Sequence, residues 1–356
     1  MPEQKTSSPH SGKGTTTTAP QPQGPGPELL HVRGLIDKGE WKQALVQLDR
    51  MQQSTTKNLE GRTATATIHL LKARALLHLG EITKSWAESD RAISMAKLAQ
   101  AYAIEAEAQC VVANILWKKS ELGKALIVLD KAFESATKAK DERVLGIVSL
   151  ERASIHGKQK DFHSAEREYR EAILALEKVG EQRQLARAYN NFAHIFVYQD
   201  QWAKAEEMFA KGKRLAEKAG LRSAAAWAAF NRAEALFELM RVDEAQRELE
   251  YAMPILEEAG DTHGMVIARG IYSTILATRK DFEGAEAELK KAEQLFEKLE
   301  LPSLKAKLIF QQGLLSKFKG EKAEAIRLFR EAKDLFTTSG SESDVARIDK
   351  QLKELA

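Results

Sequence analysis

KDFHSAEREYREA, residues 160–172, and KDFEGAEAELKKA, residues 280–292, are near copies of one another within a chain of 356 residues. The copies lie 120 residues apart, three steps of 40, and the intervening steps carry weaker versions of the same segment. Self-similarity at a fixed period of this size is typical of repeat architectures. The sequence therefore predicts a stack of units that are each about 40 residues long.

Three columns of small residues recur with this period, the second lying twelve residues after the first and the third seven residues after the second. The columns are Ala73, Ala113, Ala153, Ala193, Ala233, Ser273 and Gly313; Ser85, Ala125, Ala165, Ala205, Ala245, Ala285 and Ala325; and Ala92, Ala132, Ala172, Gly212, Ala252, Ala292 and Ala332. Between them, apolar residues recur every three or four positions, which predicts helices. Each unit is predicted to be a helical hairpin, with two facing columns between its helices and the third column against the next hairpin.

The second helix of each hairpin is predicted to begin at a large apolar residue that follows an acidic or polar one. These pairs are Glu40-Trp41, Glu81-Ile82, Glu121-Leu122, Asp161-Phe162, Gln201-Trp202 and Asp281-Phe282. A carboxylate in this place complements the free amides and the positive end of the helix dipole. Trp41 and Trp202 are accordingly assigned to the internal packing of their hairpins.

Composition favours a folded protein in the reducing cytoplasm. Apolar residues make up 43%, the formal net charge is +3, and there is one cysteine, Cys110. This small net charge does not indicate binding to nucleic acid or to an anionic membrane. No apolar run is long enough to span a bilayer or to serve as a signal peptide. Residues 1–27 are rich in Pro, Gly and Thr and are predicted to be a disordered tail.

With this pattern the chain resembles the tetratricopeptide repeats (TPR), whose signature is one small residue in the first helix and two in the second. Ala186 to Ala205, ARAYNNFAHIFVYQDQWAKA, matches the family pattern best. The period of 40 resembles the long-helix variants of kinesin light chains and bacterial regulator sensor domains. The resemblance implies an all-α, right-handed α-solenoid of about eight hairpins over residues 28–338, followed by a C-terminal capping helix in residues 339–356.

Motifs for chemistry are missing from the sequence: it contains no HExxH, GxSxG or CxxC and no Gly-rich loop after a strand. No two histidines are spaced as i, i+4 ligands on one helical face, and Cys110 has no evident partner base. We therefore predict that the protein is not an enzyme and has no catalytic residues, no cofactor and no metal site.

The resemblance places the first helices on a concave face that receives a peptide. Carried over by position, it implies a peptide groove formed by Arg187, Asn190, Asn191, His194 and Tyr198 of the fifth hairpin, Trp227, Phe230, Asn231 and Glu234 of the sixth, and Asn114 and Trp117 of the third. Asn191 and Asn231 are one period apart and are predicted to clamp a peptide backbone, because an amide both donates and accepts. Alternatively, Phe230 packs between hairpins and the asparagines bridge helices.

We expect a scaffold or adaptor that binds a protein or peptide partner, with a mild preference for acidic segments because basic residues recur on the first helices. An alternative is a regulatory module that senses a small molecule or peptide. RNA binding is disfavoured because no base-reading pair recurs every period. No oligomeric state is predicted, and Pro254, in the middle of a helix, is predicted to produce a kink.

Overall fold

The computed structural model describes residues 27–37, 40–54, 59–297 and 302–356, and every regular element within them is an α-helix. The helices are α1 (Pro27–Asp37), α2 (Trp41–Ser54), α3 (Leu59–His78), α4 (Ile82–Leu98), α5 (Tyr102–Lys118), α6 (Leu122–Ala139), α7 (Glu142–Lys158), α8 (Phe162–Lys178), α9 (Gln182–Val197), α10 (Trp202–Lys218), α11 (Arg222–Glu238), α12 (Val242–Glu258), α13 (Thr262–Thr278), α14 (Phe282–Phe296), α15 (Pro302–Lys319), α16 (Lys322–Thr338) and α17 (Glu342–Leu355). None of them is long and apolar enough to cross a membrane. The tail predicted over residues 1–27 lies outside the described residues, except for Pro27, which begins α1.

Consecutive helices from α1 to α16 pair into eight hairpins, and α17 packs on α16 as a final single helix. The predicted all-α solenoid is thereby confirmed. We call the odd-numbered helices α1 to α15 first helices and their even-numbered partners second helices. The second helices begin at the predicted residues, including Ile82, Phe162 and Trp202.

The first two columns of small residues face each other inside each hairpin. Their alanines are almost completely buried, with Ala113 the most exposed at 1%. Where a serine replaces an alanine, its hydroxyl donates to the opposite column: Ser85 Oγ lies 2.7 Å from the carbonyl oxygen of Ala73, and Ser273 Oγ lies 2.8 Å from that of Ala285. The helices therefore approach closely enough for a side chain to bond the opposite backbone.

The third column, at Gly212, packs inside its own hairpin, so the prediction that it faces the next one is wrong there. A Cβ added at Gly212 of α10 would lie 3.2 Å from the carbonyl oxygen of Ala186 and 3.4 Å from the amide nitrogen of Asn190, both in α9. The reason is periodicity, because seven residues make about two helical turns and return to the same face. The second and third columns therefore serve the same contact.

The turns repeat at half the period of the hairpins. A residue with positive φ stands at every twentieth position of the turns described from 80 to 340: Gly80, Gln100, Ser120, Lys140, Lys160, Gly180, Asp200, Gly220, Met240, Gly260, Lys280, Gly320 and Gly340. The next residue commonly donates to the carbonyl five positions back, as in the 3.0 Å bond from Asp161 to His156. This is the Schellman ending of a helix. It gives first and second helices nearly equal lengths.

Helix capping by carboxylates is confirmed for aspartate but not for glutamate. Asp161 accepts from the amide of Ser164 at 3.1 Å, and Asp281 accepts from Gly284 at 3.0 Å. Glu81 and Glu121 occupy the equivalent position without a side-chain capping bond. The additional methylene of glutamate moves its carboxylate too far from the backbone amide that an aspartate at this position accepts from.

The hairpins stack so that each first helix contacts the first helix of the next hairpin from α3 through α15. Second helices of adjacent hairpins make no comparable contact in the described part of the chain. The more closely spaced row lies on the inside of a curve, so the first helices line the concave face. The helix α12 runs through Pro254 as one continuous element.

Replacing Ala205 with leucine tests the close helix contact. Ala205 is completely buried in α10, so a leucine there overpacks the hairpin and is expected to lower the free energy of unfolding by about 1–3 kcal/mol. The matched control is Ala203→Leu, an exposed position on the same helix. Urea unfolding followed by circular dichroism provides the measurement, and equal midpoints for the two variants would contradict the packing assigned here.

Candidate concave-face interface

The concave face is crossed by polar contacts that link successive first helices. Glu107 of α5 pairs with Arg74 of α3 and with Arg143 of α7. Arg187 Nη2 of α9 lies 2.8 Å from Glu151 Oε1 of α7. These carboxylates are buried while the guanidiniums keep about a third of their side chains exposed. The contacts fix the spacing of the first helices and leave cationic groups at the surface.

Three of the predicted groove residues, Arg187, Asn190 and Trp227, line one open cleft between α9 and α11. The cleft has a volume of about 870 Å³, and its lining also includes Arg183, Arg222 and Ser223. Its wall therefore combines guanidinium groups, the carboxylate of Glu258, an amide and an indole ring. We refer to this feature below as the cleft.

One pair of asparagine side chains links α9 to α11. Asn231 Nδ2 donates to Asn190 Oδ1 at 3.1 Å, whereas Asn191 is half-buried one position further along α9. Asn231 keeps only 8% of its surface exposed. The step of 40 residues places Asn191 and Asn231 in equivalent positions, but the contacting side chains of neighbouring first helices are offset. The amide contact therefore bridges two helices on the concave side of the stack.

Aromatic residues of α11 form the floor beside the cleft. Phe230 is 3% exposed, and its ring meets Trp227 edge to face with the centroids 5.4 Å apart. Such a pair stabilises its arrangement beyond simple burial. Trp227 is the half-buried member and the one that reaches the cleft, so Phe230 supports it from behind.

His194, Tyr198 and Glu234 lie towards the other end of α9 and α11. Burial lowers the pKa of His194, with Glu234 opposing and Lys307 reinforcing that effect. Its ring also meets Phe209 edge to face at 5.2 Å. Tyr198 is 46% exposed and stacks on Phe162 with the centroids 6.3 Å apart. These residues adjoin α17 rather than the cleft.

Asn114 and Trp117 lie on α5, two hairpins before α9, and both are half-buried. Trp117 packs against the largest apolar cluster of the chain, which includes Leu150 and Phe192. The predicted groove residues thus occupy three places: the third hairpin, the cleft with the residues beside it, and the end facing α17. The structure does not bring them into one pocket.

The end facing α17 contains residues that sequence reasoning missed. Arg347 of α17 reaches Glu234 and Glu238 of α11, and its guanidinium lies over the rings of Trp202 and Phe310. Trp202 was predicted to belong to the internal packing of its hairpin, and its ring does pack, partly buried, against the core. Contacts spanning more than 100 residues have no local signal, because they depend on how far the stack curves.

The single cysteine of the chain takes part in the packing. Cys110 is a free, buried thiol whose pKa is raised well above its usual value by burial and by Glu151 and Glu107. A thiol held in its neutral form is a poor nucleophile. Among the described residues, no group of three or more His, Cys, Asp or Glu side chains is placed to hold a metal ion.

The Glu107 ion pairs predict an acid-sensitive contribution to stability. Burial raises the pKa of Glu107, but Arg74 and Arg143 outweigh burial and leave this pKa below its usual value. Its contribution is therefore fully present above the unfolded-state pKa and is lost as pH falls through the folded-state pKa. Glu107→Gln is expected to cost about 1–3 kcal/mol near neutral pH.

The measurement is urea unfolding of the wild type and of Glu107→Gln between pH 7 and pH 3. The difference between the two is expected to stay constant down to about pH 5 and to shrink below that. Glu134→Gln, an exposed position, is the control that removes an equal charge. A difference that does not change across this range would contradict the ionised state assigned to Glu107.

Comparison with known proteins agrees with the helical hairpins. Residues 143–218 match the family model described as "Tetratricopeptide repeat". No curated protein sequence matches the chain significantly.

Solved structures share the fold over nearly the whole chain. The apo form of RapI has a TM-score of 0.62 at 15% identity, covering 92% of this chain and 98% of its own. A Rap protein complexed with Competence and Sporulation Factor has a TM-score of 0.59 at 15% identity, covering 92% and 96%. A signal transduction ATPase from Pyrococcus horikoshii, which has a tetratricopeptide repeat sensor, has a TM-score of 0.58 at 13% identity, covering 87% and 55%. At these identities the similarity establishes the fold.

Proposed function

We propose that this chain of tetratricopeptide-type repeats is a non-catalytic scaffold that binds a segment of a protein partner on its concave face. The observation that carries this proposal is the cleft between α9 and α11, where Arg187, Asn190 and Trp227 meet in one open volume of about 870 Å³. Binding sites of this kind combine an aromatic anchor with a few polar groups that orient the ligand.

The chemistry of the cleft suits an extended segment with an acidic residue. Arg222 at the rim is exposed, and its partner Glu258, 3.0 Å away, is exposed as well, so this pair is readily exchanged for a ligand carboxylate. Guanidinium groups bind carboxylates through two parallel hydrogen bonds. Trp227 offers a ring for an apolar side chain next to these cations.

Two further observations support a binding role. A Rap protein with the same fold is described as complexed with Competence and Sporulation Factor, so this architecture accommodates a bound factor in that protein. The single thiol, Cys110, is buried and its pKa is raised, so it is a poor nucleophile, which fits a scaffold better than an enzyme that uses a thiol.

Site-specific photocrosslinking tests the cleft. Benzoylphenylalanine placed at Ser223, an exposed residue of the cleft, is expected to crosslink to the partner in cells. The matched control is the same group at Ala203, which is exposed on the second helix α10. Crosslinked proteins are identified by mass spectrometry, and equal products from the two positions would contradict binding in the cleft.

Reversing one cleft charge tests the acidic preference in the same assay. Arg222→Glu is expected to reduce the Ser223 crosslink at least about fivefold, because it places a repelling carboxylate at the rim. Arg247→Glu, an exposed position on α12, makes the same change of charge away from the cleft. If both reversals reduce the crosslink equally, the preference for an acidic segment is wrong.

A second candidate function is the sensing of a small molecule or short peptide. The observation that favours it is the volume of the cleft, which falls in the range of ligand pockets. A ligand present at 100 times its dissociation constant raises stability by about 2.7 kcal/mol. A thermal-shift screen of metabolites is therefore expected to give stabilisation that Trp227→Ala removes, and a screen without any shift counts against sensing.

A further inference from the structure

The last helix is held to the stack on two sides. Its apolar face packs on α15 and α16, with Ile348 completely buried and Val345 and Leu352 partly buried. Arg347 extends from a different side of the helix and contacts residues of α10, α11 and α15. The first contact is the ordinary packing of a terminal helix, whereas the second connects it to hairpins far earlier in the chain.

The guanidinium of Arg347 is surrounded by groups that match it. Nη1 donates to Glu234 Oε1 at 2.7 Å and Nη2 donates to Glu238 Oε1 at 2.7 Å. Its carbon atom lies 5.8 Å from the ring centroid of Trp202 and 5.5 Å from that of Phe310. Two carboxylates one turn apart fit the fork of a guanidinium, and the aromatic rings favour a flat, weakly hydrated cation over an ammonium.

Neighbouring contacts bring the beginning of α17 close to the same region. Glu342 pairs with Lys160, which stands at the turn between α7 and α8. Asp344 and Arg347 line a small cavity of about 30 Å³ together with Glu234 and Lys307. The first two turns of α17 therefore cover the concave side of the stack where hairpins five, six and eight approach each other.

The site that holds Arg347 remains within reach of solvent and of the cleft. The side chains of Arg347, Glu234 and Glu238 are each 24–30% exposed. Trp227 of the cleft is seven residues before Glu234 and eleven before Glu238 on α11, a rise of about 10 Å and about 16 Å. A segment of a few residues seated in the cleft can thus reach the two carboxylates.

We propose a guanidinium-binding site on the concave face, formed by Trp202, Glu234, Glu238 and Phe310. Arg347 fills this site in the free protein. When a partner segment binds, an arginine of that segment replaces Arg347. The occupant in the free protein is this chain's own terminal helix. The replacement step rests on the proposed function, whereas occupancy by Arg347 does not. Partner binding and the release of α17 are then one coupled event.

Hydrogen exchange on the full-length chain tests occupancy. Arg347→Ala is expected to speed amide exchange in residues 342–355 about tenfold, because two charge-assisted hydrogen bonds and two ring contacts are lost. Arg347→Lys is expected to behave similarly, since an ammonium cannot form the fork. Lys350→Ala, an exposed position on the same helix, is the control and is expected to leave exchange unchanged. Equal exchange in Arg347→Ala and the control would overturn the site.

Binding of a free cation identifies the ligand class. Methylguanidinium at millimolar concentration is expected to raise the melting temperature of Arg347→Ala, whose site is empty, and methylammonium is not. Glu234→Gln combined with Glu238→Gln in the Arg347→Ala chain removes both carboxylates and is expected to abolish this shift. A shift with both cations, or with neither, would mean that the site does not select a guanidinium.

A labelled peptide of residues 341–356 stands in for an arginine-bearing segment. Fluorescence anisotropy is expected to show that it binds the Arg347→Ala protein at least about tenfold more tightly than the wild type, whose site is filled. The same peptide with alanine in place of its arginine is expected to bind neither protein. Equal binding of the arginine peptide to both proteins would overturn occupancy in cis. Because no partner enters these assays, their failure is separate from a failure of the Ser223 crosslink.

Discussion

The close approach of two helices through facing small side chains is the constraint on which this structure depends. Ala153 and Ala165 occupy such a contact, and the same slots recur in every later hairpin. Where the slot contains serine, the hydroxyl reaches the opposite backbone, as between Ser273 and Ala285. Because the contact is repeated with little variation, each hairpin has nearly the same shape and stacks on its neighbour in nearly the same way.

Regular stacking of the hairpins places their first helices side by side in one continuous surface. The first helices lie on the inside of the curve, where their charged residues pair across helices, as Glu107 does with Arg74 and Arg143. The cleft lies at one end of these helices, and α17 closes over the other end. The repeated packing contact thus creates one face on which distant parts of the chain meet.

The sequence predicted the features that depend on neighbouring residues. The first two small columns and the first residues of the second helices, such as Phe162, follow from spacing alone and agree with the structure, whereas the third column was assigned to the wrong contact at Gly212. The positive φ of Lys160 and of Met240 was not predicted, because neither residue is a glycine. The sequence left open whether the asparagines clamp a peptide or bridge helices, and Asn231 bridges to Asn190 of the neighbouring first helix. Arg347 was missed because its partners depend on the curvature of the whole stack.

A distance measurement tests most directly the claim that the stack curves until its last helix closes over the concave face. Cys110 is buried, so spin labels can be attached selectively to cysteines introduced at Met240, in the turn after α11, and at Lys350, on the exposed side of α17. Double electron–electron resonance is expected to give one narrow distance distribution in the wild-type background and a broader one with Arg347→Ala. A broad distribution in both backgrounds would contradict the closed arrangement.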